Sequence, residues 1–376
     1  MTGATVLVSG AGIAGLTAAC ALRQHGFAVE LVEAKPALTD DGGIGLTLVG
    51  NALRALDGIG LARPIIEGGV AADHLRLCDA TGRLLRELPT TGPWGEDLPG
   101  HCSVSRRHLH ATLVDQARER GVRLRTGLRI VASAPAGERV AVEFSDGTRG
   151  TYALCVAAEG LFSAARGRLF PAVRPVHSGQ GSWRARVRRP AGLDTSEIYL
   201  GGRYGVVGIC PIGDSEAYLY IVEAATEDHR EDDATLHHTL RARLEGLYGG
   251  RVPALLDELT DPATVSYRPL PGLIVPAPWH AERTVLIGDA AHANPPVLAQ
   301  GAAMGIEDAV VLAEELARHG GRAEAALPAF MARRYERARD VVESSLQLAR
   351  WEVEHTRDAD VPGLMSRVSQ MLGAAI

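Results

Sequence analysis

Three glycines near the start of the chain have the spacing of a phosphate-binding turn: Gly10, Gly12 and Gly15 in the run Val6-Leu7-Val8-Ser9-Gly10-Ala11-Gly12-Ile13-Ala14-Gly15. Between a strand and a helix, GxGxxG has a mechanical reading. The first glycine permits a tight turn, the second lets a pyrophosphate approach the backbone, and the third lets helix and strand pack closely. The helix starting there turns its free amides and the positive end of its dipole toward phosphates. Glu33 closes the next apolar run, where a carboxylate accepts hydrogen bonds from ribose hydroxyls, with Ala34 and Lys35 beside it. The pattern specifies a dinucleotide and does not choose between NAD and FAD.

The elements that must position these residues follow from periodicity. Residues 6–9 read as a short strand, 13–24 carry Ile13, Leu16, Ala19 and Leu22 at helical spacing, and 27–32 form a second β-rich run. Together they make a strand, helix, strand unit of a parallel sheet. Helical spacing recurs over 51–61, 108–120 and 301–316, and over a long final stretch, 328–354. Asp146-Gly147 marks a hairpin turn, and 154–158 and 284–287 read as buried strands. Between Pro171 and Pro271 short alternating runs at 204–209 and 217–222, with one helical pattern at 234–248, predict an antiparallel sheet inserted into the nucleotide-binding part.

A chain of 376 residues that is 46% hydrophobic suits two structural units. Its formal charge of -6 offers no field for nucleic acid or an anionic membrane. No apolar run reaches the length of a membrane span, and the N-terminal stretch lacks a basic leader. The five cysteines lie far apart with no CxxC pair, so neither a metal cluster nor a disulfide framework is indicated. The expectation is a cytoplasmic protein without a metal, monomer or homodimer, acting on a small molecule.

Later stretches narrow the dinucleotide. The block Val285-Leu286-Ile287-Gly288-Asp289-Ala290-Ala291-His292-Ala293-Asn294-Pro295-Pro296, then Gln300 to Ala309, resembles the second FAD motif of the class A flavin-dependent monooxygenases, the para-hydroxybenzoate hydroxylase type. Arg106, with Leu109 and Leu113 at helical spacing, is similar to that family's arginine-led helix. Ala157-Ala158-Glu159-Gly160 through Ser163 and Arg166 looks like the middle motif that bridges FAD and NAD(P)H, except that Glu159 stands where the family has Asp. The resemblance spans nearly the whole chain. It implies an α/β fold: a Rossmann-like FAD-binding domain (1–70, 101–170 and 271–376, the last with the C-terminal helices), an inserted antiparallel β-sheet substrate domain (71–100 and 171–270), and a long C-terminal helix. It implies FAD as cofactor, NADPH or NADH as transient reductant, and O2 used to hydroxylate an aromatic or heteroaromatic small molecule through a flavin C4a-hydroperoxide. No second GxGxxG occurs, so the reductant would bind over the same domain.

On that resemblance Gly10, Gly12, Ala14, Gly15, Glu33, Ala34, Lys35 and Arg106 are expected at the cofactor. Asp289 at a strand end can hold a ribityl hydroxyl, and the amides of Gly301 and Ala302 at a helix start can face a flavin carbonyl or phosphate. Pro295 and Pro296 stiffen the loop beside the isoalloxazine, and the glycine-rich run 42–45 would let the flavin swing. Tyr218 and Tyr220 share one strand face, Tyr218 near the place where similar enzymes put a ring-orienting tyrosine. Arg184, Arg186 and Arg188 share a face of a strand expected to begin at Trp183. Lining a cavity, they suit a carboxylate or a urate-like anion; facing out, they are a solvated stripe. His177 and His292 are best placed for proton transfer, although the family uses the histidine of Asp-Ala-Ala-His structurally. Pro295, Tyr218 and Arg184 are the expected catalytic set. A flavin-dependent epoxidase or dehydrogenase acting on a polyketide or terpenoid stays open, as does a non-catalytic flavin-binding protein.

Overall fold

The structure, a computed structural model, describes residues 5–39, 43–95 and 97–376. Gly42 of the glycine-rich run lies outside them, while Gly45 opens the strand Gly45–Val49. Val6, Leu7 and Val8 form the strand Thr5–Ser9 and are fully buried. A strand covered on both faces is apolar throughout, as in parallel sheets packed between helical layers. It pairs in parallel with Ala28–Glu33 on one side and Leu154–Ala157 on the other. Among the described residues the sheet has six strands. It ends at Arg123–Thr126 on one edge and passes through Thr284–Leu286 to the antiparallel His280–Ala281 on the other. The helix Ile13–Gln24 crosses between the first two strands and packs against the helices Arg106–Glu119 and Gly301–Arg318. Arg106 does lead its helix, because Ser105 caps it by accepting the His108 N–H at 3.1 Å.

A second sheet has eight strands among the described residues, with Val176–Arg188 lying antiparallel between Glu216–Ala224 and Val265–Ile274. One junction departs from a purely antiparallel sheet: Glu197–Gly202 runs parallel to His74–Asp79, which carries Leu84–Pro89 as the edge strand. One face buries Trp183, Ala185, Val187, Leu219 and Ile221 in a core shared with the helices Leu236–Leu244 and Val252–Leu256. By alternation the opposite face presents Arg184, Arg186, Tyr218 and Tyr220. That face turns toward the strand Gly45–Val49, where Tyr218 closes on Gly45 so tightly that a Cβ there would sit 2.8 Å from its Cδ1.

The long helix runs Ala323–Val353, starting one turn before Pro328. Its later turns lie across the second sheet, Leu346 against Gly272 and Val353 against Gly179, and Val361–Gly373 folds back along it. No described helix is long and apolar enough to cross a membrane.

Candidate functional site

At the end of Thr5–Ser9 the chain turns at Gly10, whose φ of +105° is a conformation that glycine alone adopts without strain. A Cβ at Gly10 would overlap the Ala158 carbonyl, and one at Gly15 would overlap the Gly10 carbonyl. Gly12 differs, since a Cβ there would meet nothing within 4 Å. Two glycines therefore hold the turn shut and the third leaves a groove open above it. Glu33 fixes the turn from the neighbouring strand: its carboxylate accepts the Ala11 amide at 2.8 Å and the Lys35 amide at 2.9 Å. It keeps acceptor capacity for a hydroxyl, because a carboxylate has about four lone-pair sites. His110, buried on the Arg106–Glu119 helix, donates from Nε2 to the Ala11 carbonyl at 2.8 Å. Ala34 and Lys35 are exposed. The Ala14 methyl lies 3.0 Å from where a Cβ on Gly288 or Gly305 would be. Ala14 thus packs the first helix against the Gly288 turn and the Gly301–Arg318 helix.

In the middle stretch Glu159 is held by three donors of the protein itself. Its carboxylate accepts from Ser9 Oγ at 2.8 Å, Ser163 Oγ at 2.9 Å and the Ala165 amide at 2.8 Å. The extra methylene lets it reach the first strand and the start of the Ala164–Leu169 helix together. Arg166 is buried and donates to the carbonyls of Leu161 and Ala290, tying this turn to the Gly288–Ala290 turn.

Asp289 is ringed by protein deeply enough that burial raises its carboxyl pKa, with His292 and Arg106 opposing. Its side chain is nonetheless exposed. The turn carrying it is clamped from beneath by Asp308, which accepts the Gly288 amide at 2.9 Å, His292 Nε2–H at 2.6 Å and Arg334 Nε–H at 2.8 Å. Burial works against the Asp308 charge, but His292, Arg334 and these hydrogen bonds outweigh it and bring its pKa to about 2. Arg334 also donates to Glu307, which takes Arg337 and Asn51 as well. Asn51 in turn exchanges amide hydrogen bonds with Gln300, just before Gly301. His292 is thereby a structural residue, and Gly301 and Ala302 are left half-exposed at a helix start that no side chain caps. Pro295 is buried, and Pro296–Leu298 form a short turn ahead of Ala299, whose φ is +54°.

The arginine-bearing sheet face supplies the opposite wall. Arg184 lies directly across from Tyr220 and Arg186 across from Tyr218, and the two tyrosine rings stack at 5.6 Å. Burial lowers the Arg184 pKa, as do the Arg106 and Arg268 charges, against the two tyrosines; Arg106 also acts on Asp289. Arg106 therefore joins the two walls, its stem filling the place a Gly43 side chain would take. Arg188 is exposed at the strand end and pairs with Glu258 at 3.3 Å, so the expected stripe does not enter the cleft as a whole. His177, seven residues before Arg184 along the strand and so roughly 20 Å away, is bonded to the Ala225 carbonyl at 2.8 Å.

The groove fits a long dinucleotide: open space over Gly12, a carboxylate at Glu33, uncapped amides at Gly301, and Asp289 facing the cleft between. Arg268, His110 and the Asn51–Glu307–Arg334 network are absent from the sequence reading. Their only signal was a charged or amide residue within an otherwise amphipathic helix or, for Arg268, within a strand.

A family model described as FAD binding domain matches residues 3–345. The chain is 31% identical over 348 residues to the Bacillus subtilis protein YetM, named as an FAD-dependent monooxygenase, covering 92% of this chain and 93% of that one. It is 33% identical over 319 residues to the 2-heptyl-3-hydroxy-4(1H)-quinolone synthase of Pseudomonas aeruginosa, covering 82% and 80%. Its fold is similar to that of Klebsiella pneumoniae HpxO complexed with FAD and uric acid, with a TM-score of 0.83 at 24% identity over 98% of this chain and 92% of that one.

Proposed function

We propose, from the premise that this chain belongs to the FAD binding domain family and is an FAD-dependent monooxygenase, that it hydroxylates an aromatic or heteroaromatic small molecule with O2 and NADPH or NADH. The observation that supports this reading is the open space over Gly12 beside the Glu33 carboxylate, together with the stacked Tyr218–Tyr220 pair on the arginine-bearing sheet face. FAD would take a hydride from the reduced nicotinamide and pass one oxygen atom of O2 to the ring, the other leaving as water.

The chain's own residues bind, orient and shield. The Gly12 turn and the helix behind it hold the pyrophosphate, Glu33 the ribose, Asp289 the ribityl chain, and the Gly301 and Ala302 amides a flavin carbonyl. Pro295 keeps the adjoining loop stiff, while Tyr218, Tyr220 and Arg184 orient the substrate ring and keep bulk water off it. Residues 1–70, 101–170 and 271–376 form the FAD-binding part in this reading, and 71–100 with 171–270 the substrate part. The reductant docks over the same nucleotide part, because the sequence carries one GxGxxG alone.

The test is to load the purified protein with FAD and screen aromatic compounds for stimulated NAD(P)H oxidation with matching oxygen uptake. Stimulation by a compound recovered with an added hydroxyl is the expected result. Oxidation of NAD(P)H that no aromatic compound stimulates would overturn the reading.

A further inference from the structure

The helix Val361–Gly373 is built to open by itself. It follows the long helix through a link in which 354–358 are exposed, it carries Pro362, Gly363 and Gly373, and a helix of this length and composition is marginal alone in water. Leu364, Val368 and Leu372, four residues apart, bury one narrow stripe in the core around the first sheet. A segment held by so few apolar side chains opens as a unit before the rest of a protein does.

Its last turn is held by charge instead. Arg54 donates to the carbonyls of Gly373 at 3.0 Å and Ala374 at 2.6 Å, and Arg337 to those of Met371 and, at 2.9 Å, Leu372. Cations suit the negative end of a helix dipole. Burial lowers the Arg54 pKa and the neighbouring Arg337 charge lowers it further, with Glu307 opposing. The same Arg337 grips Glu307 through Nε–H and Nη2–H, each at 2.8 Å. Glu307 accepts from Asn51 at 2.8 Å, and Asn51 exchanges amide hydrogen bonds with Gln300, the residue before Gly301. Asn51 and Arg54 lie one turn apart on the helix Gly50–Asp57. The end of the last helix therefore reaches the Gly301 turn by unbroken contacts, through Arg54 to the helix carrying Asn51 and through Arg337 and Glu307 to Asn51 itself.

Resting on the FAD reading above, we infer that Arg54 and Arg337 are positioning residues for the flavin: with the last helix docked they fix Asn51, and through it Gln300, so that the Gly301 and Ala302 amides stand where the cofactor needs them. Undocking of the helix releases that turn. The docked and undocked helix is the two-state element that both ends bias. FAD binding and helix docking then favour each other by one and the same factor, about 5- to 150-fold for couplings of this kind.

Hydrogen exchange and cofactor titration read that factor from its two ends, without turnover. Exchange of the amides of 364–372 is followed by mass spectrometry in cofactor-free and FAD-saturated protein, with the helix Leu236–Leu244 as reference. FAD should slow exchange in 364–372 by about 5- to 150-fold and in the reference helix far less. Val368→Asp, which puts a charge into the buried stripe and undocks the helix, should raise the Kd for FAD by the same factor. Leu240→Ala, in the separate core of the second sheet, also costs stability but should leave that Kd near the parent's. Arg337→Lys keeps a cation on Glu307 but offers one head group where the guanidinium serves both sides, so the response of the helix to FAD should shrink. A parent protein that binds FAD with no slowing in 364–372, or with equal slowing in both helices, overturns this inference alone. So does a V368D protein that binds FAD as the parent does, an L240A protein that loses FAD as V368D does, or an undiminished response in R337K. A folded parent that takes up no FAD overturns the cofactor reading along with it.

Discussion

Gly12→Ala and Gly15→Ala distinguish a ligand groove from a packing contact. Gly12 has φ -77° and ψ -177°, open to any residue, and a Cβ there meets no atom within 4 Å. The alanine variant therefore folds, and the stiffer unfolded chain adds about 0.4–1 kcal/mol of stability. Its methyl group instead takes the space through which the pyrophosphate must approach. Moving a phosphate off a single backbone N–H loses a charge-assisted hydrogen bond worth about 1.5–3 kcal/mol, a rise of roughly 10- to 150-fold in the Kd for FAD. At Gly15 the added Cβ would overlap the Gly10 carbonyl and press on the Ala158 methyl at 3.2 Å. Neither neighbour can swing away, so G15A loses stability on the overpacking scale, about 1–3 kcal/mol or more. Thermal melting of the cofactor-free proteins reads the stabilities, and fluorescence titration with FAD reads the affinities. G12A should melt at or above the parent's temperature and bind FAD weakly. A G12A protein that binds FAD as the parent does, or that melts as low as G15A, refutes the division of labour between these glycines.

Three further expectations follow from buried groups. Arg334→Met leaves Glu307 and Asp308 each short of a partner in a fully buried network, which should cost about 3–5 kcal/mol in urea unfolding; a loss under 1 kcal/mol would show the network to be dispensable. Burial, reinforced by His74 and opposed by Asp73, holds His101 at about 4 instead of 6.5. Between those values the unfolded chain binds a proton that the folded one does not, so stability is full near pH 7 and falls as pH drops toward 4, by about 2 kcal/mol at pH 5. His101→Gln should flatten that fall, and urea midpoints at pH 7 and 5 that decline as steeply as the parent's would count against it. Glu159→Gln keeps one acceptor oxygen where two are used, costing about 1–3 kcal/mol. It should lower the melting temperature while leaving the KM for NAD(P)H near the parent's, and a raised KM in an equally stable protein would return Glu159 to the reductant.

Local order was legible where one run of residues contains its own reasons. The opening strand, helix and strand, with Gly10, Gly12 and Gly15, depend on apolar periodicity and on glycine where the backbone crowds itself. The Arg106 helix and the Gly301–Arg318 helix are legible for the same reason. What lay hidden depends on pairing across long stretches of chain. Glu159 reaches Ser9 only because Leu154–Ala157 pairs with Thr5–Ser9. Asn51, Glu307, Asp308 and Arg334 each look like polar positions of amphipathic helices until three helices meet. The parallel junction of Glu197–Gly202 with His74–Asp79 left no mark in either strand's alternation. For the arginine stripe the periodicity was right and the environment was not readable: Arg184 is half-buried across from Tyr220, while Arg188 at the strand end is in solvent with Glu258.

The central claim is that this cleft holds FAD and transfers oxygen to an aromatic ring. It is tested most directly by mass spectrometry of the product formed under ¹⁸O2 by the FAD-loaded protein with NAD(P)H and a compound that stimulates its oxidation. The account predicts a hydroxylated ring carrying one ¹⁸O atom for each NAD(P)H consumed. An oxidised product without the label, or a folded protein that takes up no FAD, would contradict it.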